Sequence, residues 1–279
     1  MKTISENVSA IPRPVSAAGY FQLSRDFEKR FREGTWIPAK TMKIALLSSF
    51  TLNGLKEILL AQCGLSGIRA SVYEAPYNQW AQEILDPSSA LYAFAPELVI
   101  LFADTASILG ERYFRPYAPS SAGWQDWTDR QFEEFKGLVL LLKKRSNAKI
   151  LLHNFEVPGY SPLGILESKQ AFGFIEAVET LNQKLREAFK KNSQVYLLDY
   201  NGFLSRTGKH GAADPKMFYL ADMKLDLQKM PGLVNEYMGM VRPLAGLAKK
   251  CLVLDLDNTL WGGVAGEDGM EGIRLGPTP

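Results

Sequence analysis

Five short apolar runs alternate, across residues 42–200, with stretches in which apolar side chains recur every three to four positions. That alternation constrains the fold more than any other feature of the chain. The runs are "KIALLS" (43–48), "RASVYEA" (69–75), "ELVILF" (97–102), "AKILLH" (148–153) and "QVYLLDY" (194–200). "ELVILF" is continuously apolar rather than alternating, as a strand buried on both faces must be. Between the runs lie helical patterns: Leu55, Ile58, Leu59 and Cys63; a segment around 80–85; residues 126–145 with Phe132, Phe135, Leu138 and Leu142 on one side; and residues 168–191. Strand and helix in strict alternation predict an α/β fold, a doubly wound parallel five-stranded sheet.

The flanks are of a different texture. Residues 1–18 are polar with Pro12 and Pro14 and read as a loose arm. Leu23, Phe27 and Phe31 then form an apolar stripe on a charged helix, which must dock on a core. A further helix is expected over 233–248, interrupted by Pro243, and residues 251–255 read as a new strand. The expected organisation is an arm and helix (1–40), the α/β domain (41–230), a connecting helix (231–249) and the start of a second domain (250–279).

Composition narrows the functional classes. The 32 basic and 30 acidic residues are interspersed, so no basic block offers a phosphate-backbone footprint and nucleic acid is excluded as an expected partner. Cys63 and Cys251 lack the spacing of a zinc site or disulfide framework. With no signal-peptide pattern and no apolar stretch near the roughly eighteen residues of a membrane span, the expectation is a cytoplasmic protein.

Sites in doubly wound sheets lie beyond the carboxyl ends of the strands. Here those ends carry Ser48, Ser49, Glu74, Asp104, His153, Asn154 and Asp199, with Thr51 just beyond the first. Ser49 or Thr51 activated by His153 is one possibility, since a hydroxyl nucleophile needs a base within hydrogen-bond reach. The plainer alternative has the hydroxyls capping a helix that starts near Asn53, with His153 a hydrogen-bonded structural residue. "EAPYNQW" (74–80) suits a pocket for an acyl group or pantetheine arm, or interdomain packing, and "NFEVPGYSPLG" (154–164) reads as a fixed loop over the cleft, with Asn154 and Glu156 as polar contacts.

The most explicit chemistry is "LVLDLDNTLWGGV". Asp255, Asp257 and Thr259 alternate along the chain, so a strand here would project both carboxylates to one side. Two adjacent carboxylates facing a phosphate make sense when a hard cation such as Mg²⁺ neutralises them. Asp255 would then attack phosphorus, with Asp257 as the acid and base and Thr259 beside the phosphoryl group.

"DLDNT" resembles the first motif of the haloacid dehalogenase (HAD) superfamily, and "LVLDLDNTLWGGVAGEDGMEGIRLG" is similar to the opening of its FkbH-like subgroup, subfamily IIIC. The resemblance implies a HAD-type Rossmann domain whose first strand and flap begin here, Asp255 as nucleophile and Asp257 as acid/base. It also implies Mg²⁺ held by Asp255 and the main-chain carbonyl of Asp257, with a phosphorylated small-molecule substrate and the phosphopantetheine arm of an acyl carrier protein as partners in polyketide or related biosynthesis. Relatives that transfer glyceryl carry Cys between the two aspartates; Leu256 stands there in this chain. The later motifs that complete the metal and phosphoryl sites are absent from the sequence, which leads to the expectation of a truncated or split protein inactive in phosphoryl transfer by itself.

"VYEAPYNQWAQEILDPSSALYAFAPELVILF" and "FYLADMK" look like the region that precedes the phosphatase domain in FkbH-like proteins, which is similar to the SGNH (GDSL) hydrolase fold. That implies a flavodoxin-like sheet. The serine position of GDS falls on Phe50, with Ser48 and Ser49 on its Gly and Asp, and no DxxH occurs. Three readings stay open: part of a HAD-type phosphatase or acyltransferase, a non-catalytic carrier-docking or substrate-holding module, and a residual SGNH-type esterase.

Overall fold

The structure is a computed structural model that describes residues 11–248, 251 and 253–276. It divides into two compact units, Met1–Ala245 and Gly246–Pro279. The first unit contains α1 (Ala17–Arg32), β1 (Lys40–Ser48), α2 (Leu55–Leu65), β2 (Ile68–Glu74), α3 (Trp80–Leu85), α4 (Ala90–Phe94), β3 (Leu98–Phe102), α5 (Thr105–Leu109), α6 (Glu111–Phe114) and α7 (Ser121–Arg145). It continues with β4 (Lys149–His153), α8 (Phe174–Phe189), β5 (Val195–Leu198), α9 (Tyr200–Thr207), α10 (Pro215–Ala221) and α11 (Met230–Leu244). The second unit holds α12 (Ala265–Gly272).

All five expected strands pair in one parallel sheet of order β2-β1-β3-β4-β5. This is the flavodoxin-like order, and the expected α/β class holds. The apolar runs are sorted by pleat: Ala45, Leu47, Val99, Leu101, Ile150 and Leu152 share a core with Trp80, Trp124, Phe135, Val139, Val178 and Leu181 of α3, α7 and α8. The alternate residues Phe102 and His153 face Tyr200 and Tyr237, from α9 and α11, on the other side. Helix stripes with a period near 3.6 thus meet strand faces with a period of two.

The arm helix and the connecting helix both pack on α2 and belong to the first unit. Helix α1 starts at Ala17 because Ser16 caps it, its Oγ accepting from Gly19 N at 3.3 Å. Residues 1–10 of the expected arm lie outside the described residues. Helix α11 runs one residue past Pro243 and ends short of the expected position 248, because Gly246, just beyond the C-cap Ala245, takes a left-handed φ of 75° that stops the helix. Among the described residues no helix is long and apolar enough to cross a membrane.

The strand expected over 251–255 does not form: Cys251 and 253–256 are irregular and exposed, and Leu252 lies outside the described residues. A parallel strand needs a hydrogen-bonded neighbour, and the described residues of this unit supply none. Cys251 is exposed for the same reason. What does form is a small closure, with Gly262 and Arg274 exchanging two 2.9 Å backbone hydrogen bonds around α12.

Candidate functional site

The carboxyl edge of the sheet brings Ser49 and Asp104 into direct contact. β1 delivers Ser49, whose N–H donates to Phe102 O at 3.3 Å, and β3 delivers Asp104 as the N-cap of α5. Ser49 Oγ donates to Asp104 Oδ2 at 2.6 Å and accepts from Asp104 N at 2.9 Å. Ser107 completes the carboxylate's shell through its N–H, at 3.1 Å to Oδ1, and through its hydroxyl to Oδ2. The hydroxyls do not cap α2, whose N-cap is Gly54 with a left-handed φ of 93°. Ser48 Oγ instead accepts from Phe50 N, and Thr51 N donates to Asp222 O.

His153 is next to this cluster in the sheet but not part of it. Its ring is fully buried among Phe102, Tyr200 and Tyr237, with the Phe102 centroid 3.8 Å away. Among the described residues neither ring nitrogen has a hydrogen-bond partner, and burial pushes its pKa from 6.5 down to about 3. It is a neutral packing residue, and the hydrogen-bonded structural role expected of it is absent. The other histidine, His210, sits exposed in the loop after α9.

Asn154 is a clamp between strand ends. Its Nδ2 donates to Asp199 Oδ1 at 2.8 Å and its Oδ1 accepts from Asn201 N at 2.9 Å, while Asp199 caps α9. Thr51 borders a separate shallow cavity of about 360 Å³ with Glu74 and Tyr77.

Asp104 also reaches a pocket of about 320 Å³ at this edge. Its walls are aromatic, from Phe102, Tyr113, Phe174, Tyr200 and Phe218, and its polar groups are Asp104, Glu156, Lys209 and Lys224. The loop after β4 positions Glu156, and Thr105 Oγ1 pins that loop by donating to Glu156 O at 2.7 Å. Burial raises the Glu156 carboxyl above the ordinary range against the pull of Lys209, and Asp104 adds to the rise. Burial likewise raises the Tyr113 and Tyr200 phenols, with the two carboxylates contributing, so both stay protonated. Glu156 was legible as a cleft residue from the proline and glycine spacing of its loop. Tyr113, on the four-residue α6, and Lys209 and Lys224, in the loops after α9 and α10, were not, because their approach to the sheet edge is set by tertiary packing.

In the second unit Asp255, Asp257 and Thr259 are engaged in local turns. Asp257 Oδ1 accepts from Trp261 Nε1 at 3.2 Å and from Ala265 N at 3.0 Å, and Thr259 Oγ1 donates to Asp255 Oδ2 at 3.5 Å. Mg²⁺ demands about six oxygens in near-octahedral array. Among the described residues no group of three or more His, Cys, Asp or Glu side chains comes together to hold a metal. One oxygen of Asp257 is already taken by two donors, so the residues present do not make a Mg²⁺ site.

Residues 43–242 match the family described as FkbH, N-terminal domain. Among solved structures, the chain is similar to the N-terminal part of the protein BF1531 from Bacteroides fragilis, described as containing a phosphatase domain complexed with Mg. That similarity has 25% identity and a TM-score of 0.74, and it covers 93% of this chain and 66% of the other, so this chain spans just under two thirds of that structure's length. An acetyl xylan esterase, AlAXEase, matches at 12% identity and TM-score 0.46, over 72% of this chain and all of its own. A GDSL-like lipase from Parabacteroides merdae matches at 13% and 0.44, over 76% and 100%. At these values the two hydrolases assign no role to any residue of this chain. No curated protein matches it.

Proposed function

This chain belongs to the FkbH N-terminal-domain family, and on that premise we propose that its α/β unit is a substrate-holding or docking module without serine-hydrolase chemistry. It would serve a longer protein that works in the cytoplasm as a HAD-type, Mg²⁺-dependent phosphatase or glyceryl transferase, with an acyl carrier protein as partner in polyketide or related biosynthesis. The metal, the phosphorylated substrate and the Asp255 and Asp257 chemistry belong to that longer protein.

One observation carries the reading for the unit itself: among the described residues Ser49, the strand-end serine bonded to Asp104, has no imidazole to deprotonate it. Serine attack requires a base tuned near neutral pH and oriented by a third group. His153 is sealed among aromatic rings, and Asp104 already accepts two further hydrogen bonds from Ser107. The arrangement instead fixes the sheet edge as a rigid rim beneath the pocket.

The test is labelling of the full chain with a fluorophosphonate, alongside turnover of p-nitrophenyl acetate. We expect no adduct on Ser49 or Thr51 and no turnover above background. An adduct that disappears in Ser49→Ala would replace this reading with a residual esterase.

A further inference from the structure

The pocket above the sheet edge has four charged side chains in its wall, and three of them are already committed. Asp104 is saturated by Ser49 and Ser107. Lys224 pairs with Asp222 at 2.5 Å and lies 3.9 Å over the Phe218 ring. Lys209 donates to Val157 O at 2.5 Å. The Glu156 carboxyl is the exception: among the described residues it makes no hydrogen bond and no ion pair, although it is part-buried in the pocket wall. Among the described residues the hydroxyls of Tyr113, Tyr160 and Tyr200 are the lining's other side-chain polar atoms without a hydrogen bond.

We propose that this pocket takes an uncharged segment of substrate, an apolar body bearing hydroxyl or amide N–H donors, with Glu156 as the acceptor that orients it, and that it turns away carboxylates and phosphates. This rests on the substrate-holding reading and names the chemistry of what is held. A desolvated group with no partner is satisfied by a ligand of opposite hydrogen-bonding sense, and an acceptor calls for a donor. An anion placed there would face Glu156 and Asp104, with Lys224 already balanced by Asp222 and Lys209 by Glu156 itself, so like-charge repulsion excludes it. A cation finds the Glu156 charge already offset by Lys209. What remains is a neutral donor, and the aromatic walls suit the apolar body that carries it. The pocket's size, about 320 Å³, is at the small end for ligand sites, fitting one segment of a longer molecule.

A matched pair tests the inference on the full chain: β-hydroxybutyramide, neutral with hydroxyl and amide donors, against β-hydroxybutyrate, its anion of nearly equal size. Titration followed by NMR should show saturable binding of the amide, with Tyr113 and Tyr200 ring signals shifting, and no saturation by the anion over the same range. Glu156→Leu should weaken the amide at least about tenfold, the loss expected when a hydrogen bond to a charged acceptor is removed. Tyr113→Phe, which removes only a phenol oxygen, should cost a few-fold. If Glu156→Leu fails to fold, Glu156→Gln serves: without the charge, the preference for amide over anion should shrink. The inference is overturned if the anion binds as well as the amide, if neither binds at tens of millimolar, or if the Glu156 substitution leaves both affinity and preference unchanged. Any of these outcomes with no fluorophosphonate adduct removes the ligand class and leaves the non-hydrolytic reading standing.

Discussion

At His153 a titratable ring sits where nothing shares its proton, and that has a consequence for stability as well as for catalysis. The folded ring stays neutral down to about pH 3, whereas the unfolded ring takes a proton near its usual 6.5. Between those values the unfolded state binds the extra proton, so stability falls as pH falls, by at most about 1.4 kcal/mol per pH unit. Above 6.5 both states are neutral and the contribution is constant. His153→Leu removes the titration and the two orphaned nitrogens together. Melting curves collected from neutral pH downward should show the variant gaining on the native chain steadily below pH 6.5; parallel curves for the two proteins would refute the account. At this scale the sequence placed Ser49, Asp104, His153 and Asn154 at the sheet edge, because strand ends can be read from apolar runs. It did not reveal which of them touch. Ser49 and Asp104 lie 55 positions apart, and only the β1–β3 pairing makes them neighbours; Asn154 is drawn instead to Asp199.

Elements are held by contacts as local as one missing methyl. Helix α1 lies on α2 with the Phe27 ring directly over Gly64, where an added Cβ would stand 2.3 Å from Phe27 Cδ2 and 2.6 Å from Cε2. Phe27 is buried, so the ring has little room to yield. Gly64→Ala gains about 1 kcal/mol of helix propensity in α2, but overpacking a tight contact costs about 1–3 kcal/mol. The steric term wins in sign. The variant should melt lower, with amide exchange accelerating in α1 before the sheet; a more stable variant with α1 protection intact would contradict the packing argument. The stripe Leu23, Phe27 and Phe31 was readable because sixteen residues give a periodic pattern room to repeat. Helices α5, α9 and α10, of five to eight residues, were hidden. Each is started by an aspartate cap, Asp104, Asp199 and Asp214, and two of those caps follow almost directly on a strand. A cap after an apolar run looks the same in sequence as the run's own polar end, which is why the strand pattern runs on through "LLDY" to Tyr200.

For the molecule as a whole, legibility depended on whether a pattern closes on itself within the described chain. The five-stranded sheet does: each run finds a parallel neighbour, and right-handed crossovers leave few other ways to wind α/β units. Residues 251–255 carry an equally strandlike pattern, yet Cys251 and residues 253–255 stay irregular because a strand is a pairwise object. The same reasoning applies to the metal. A carboxylate pair without a third ligand, one of its oxygens already accepting from Trp261 and Ala265, should bind Mg²⁺ too weakly to register thermodynamically. A ligand that prefers the native state stabilises it by about 2.7 kcal/mol at a concentration 100 times its Kd, enough to raise Tm by a few degrees in a protein of this size. Thermal melts of this 279-residue chain with and without millimolar Mg²⁺ should therefore coincide, and Asp255→Asn should melt as the native chain does under both conditions. A Mg²⁺-dependent rise in Tm that Asp255→Asn abolishes would mean that these residues assemble a cation site the observed turn geometry does not contain, with Asp257 released from its turn to complete it.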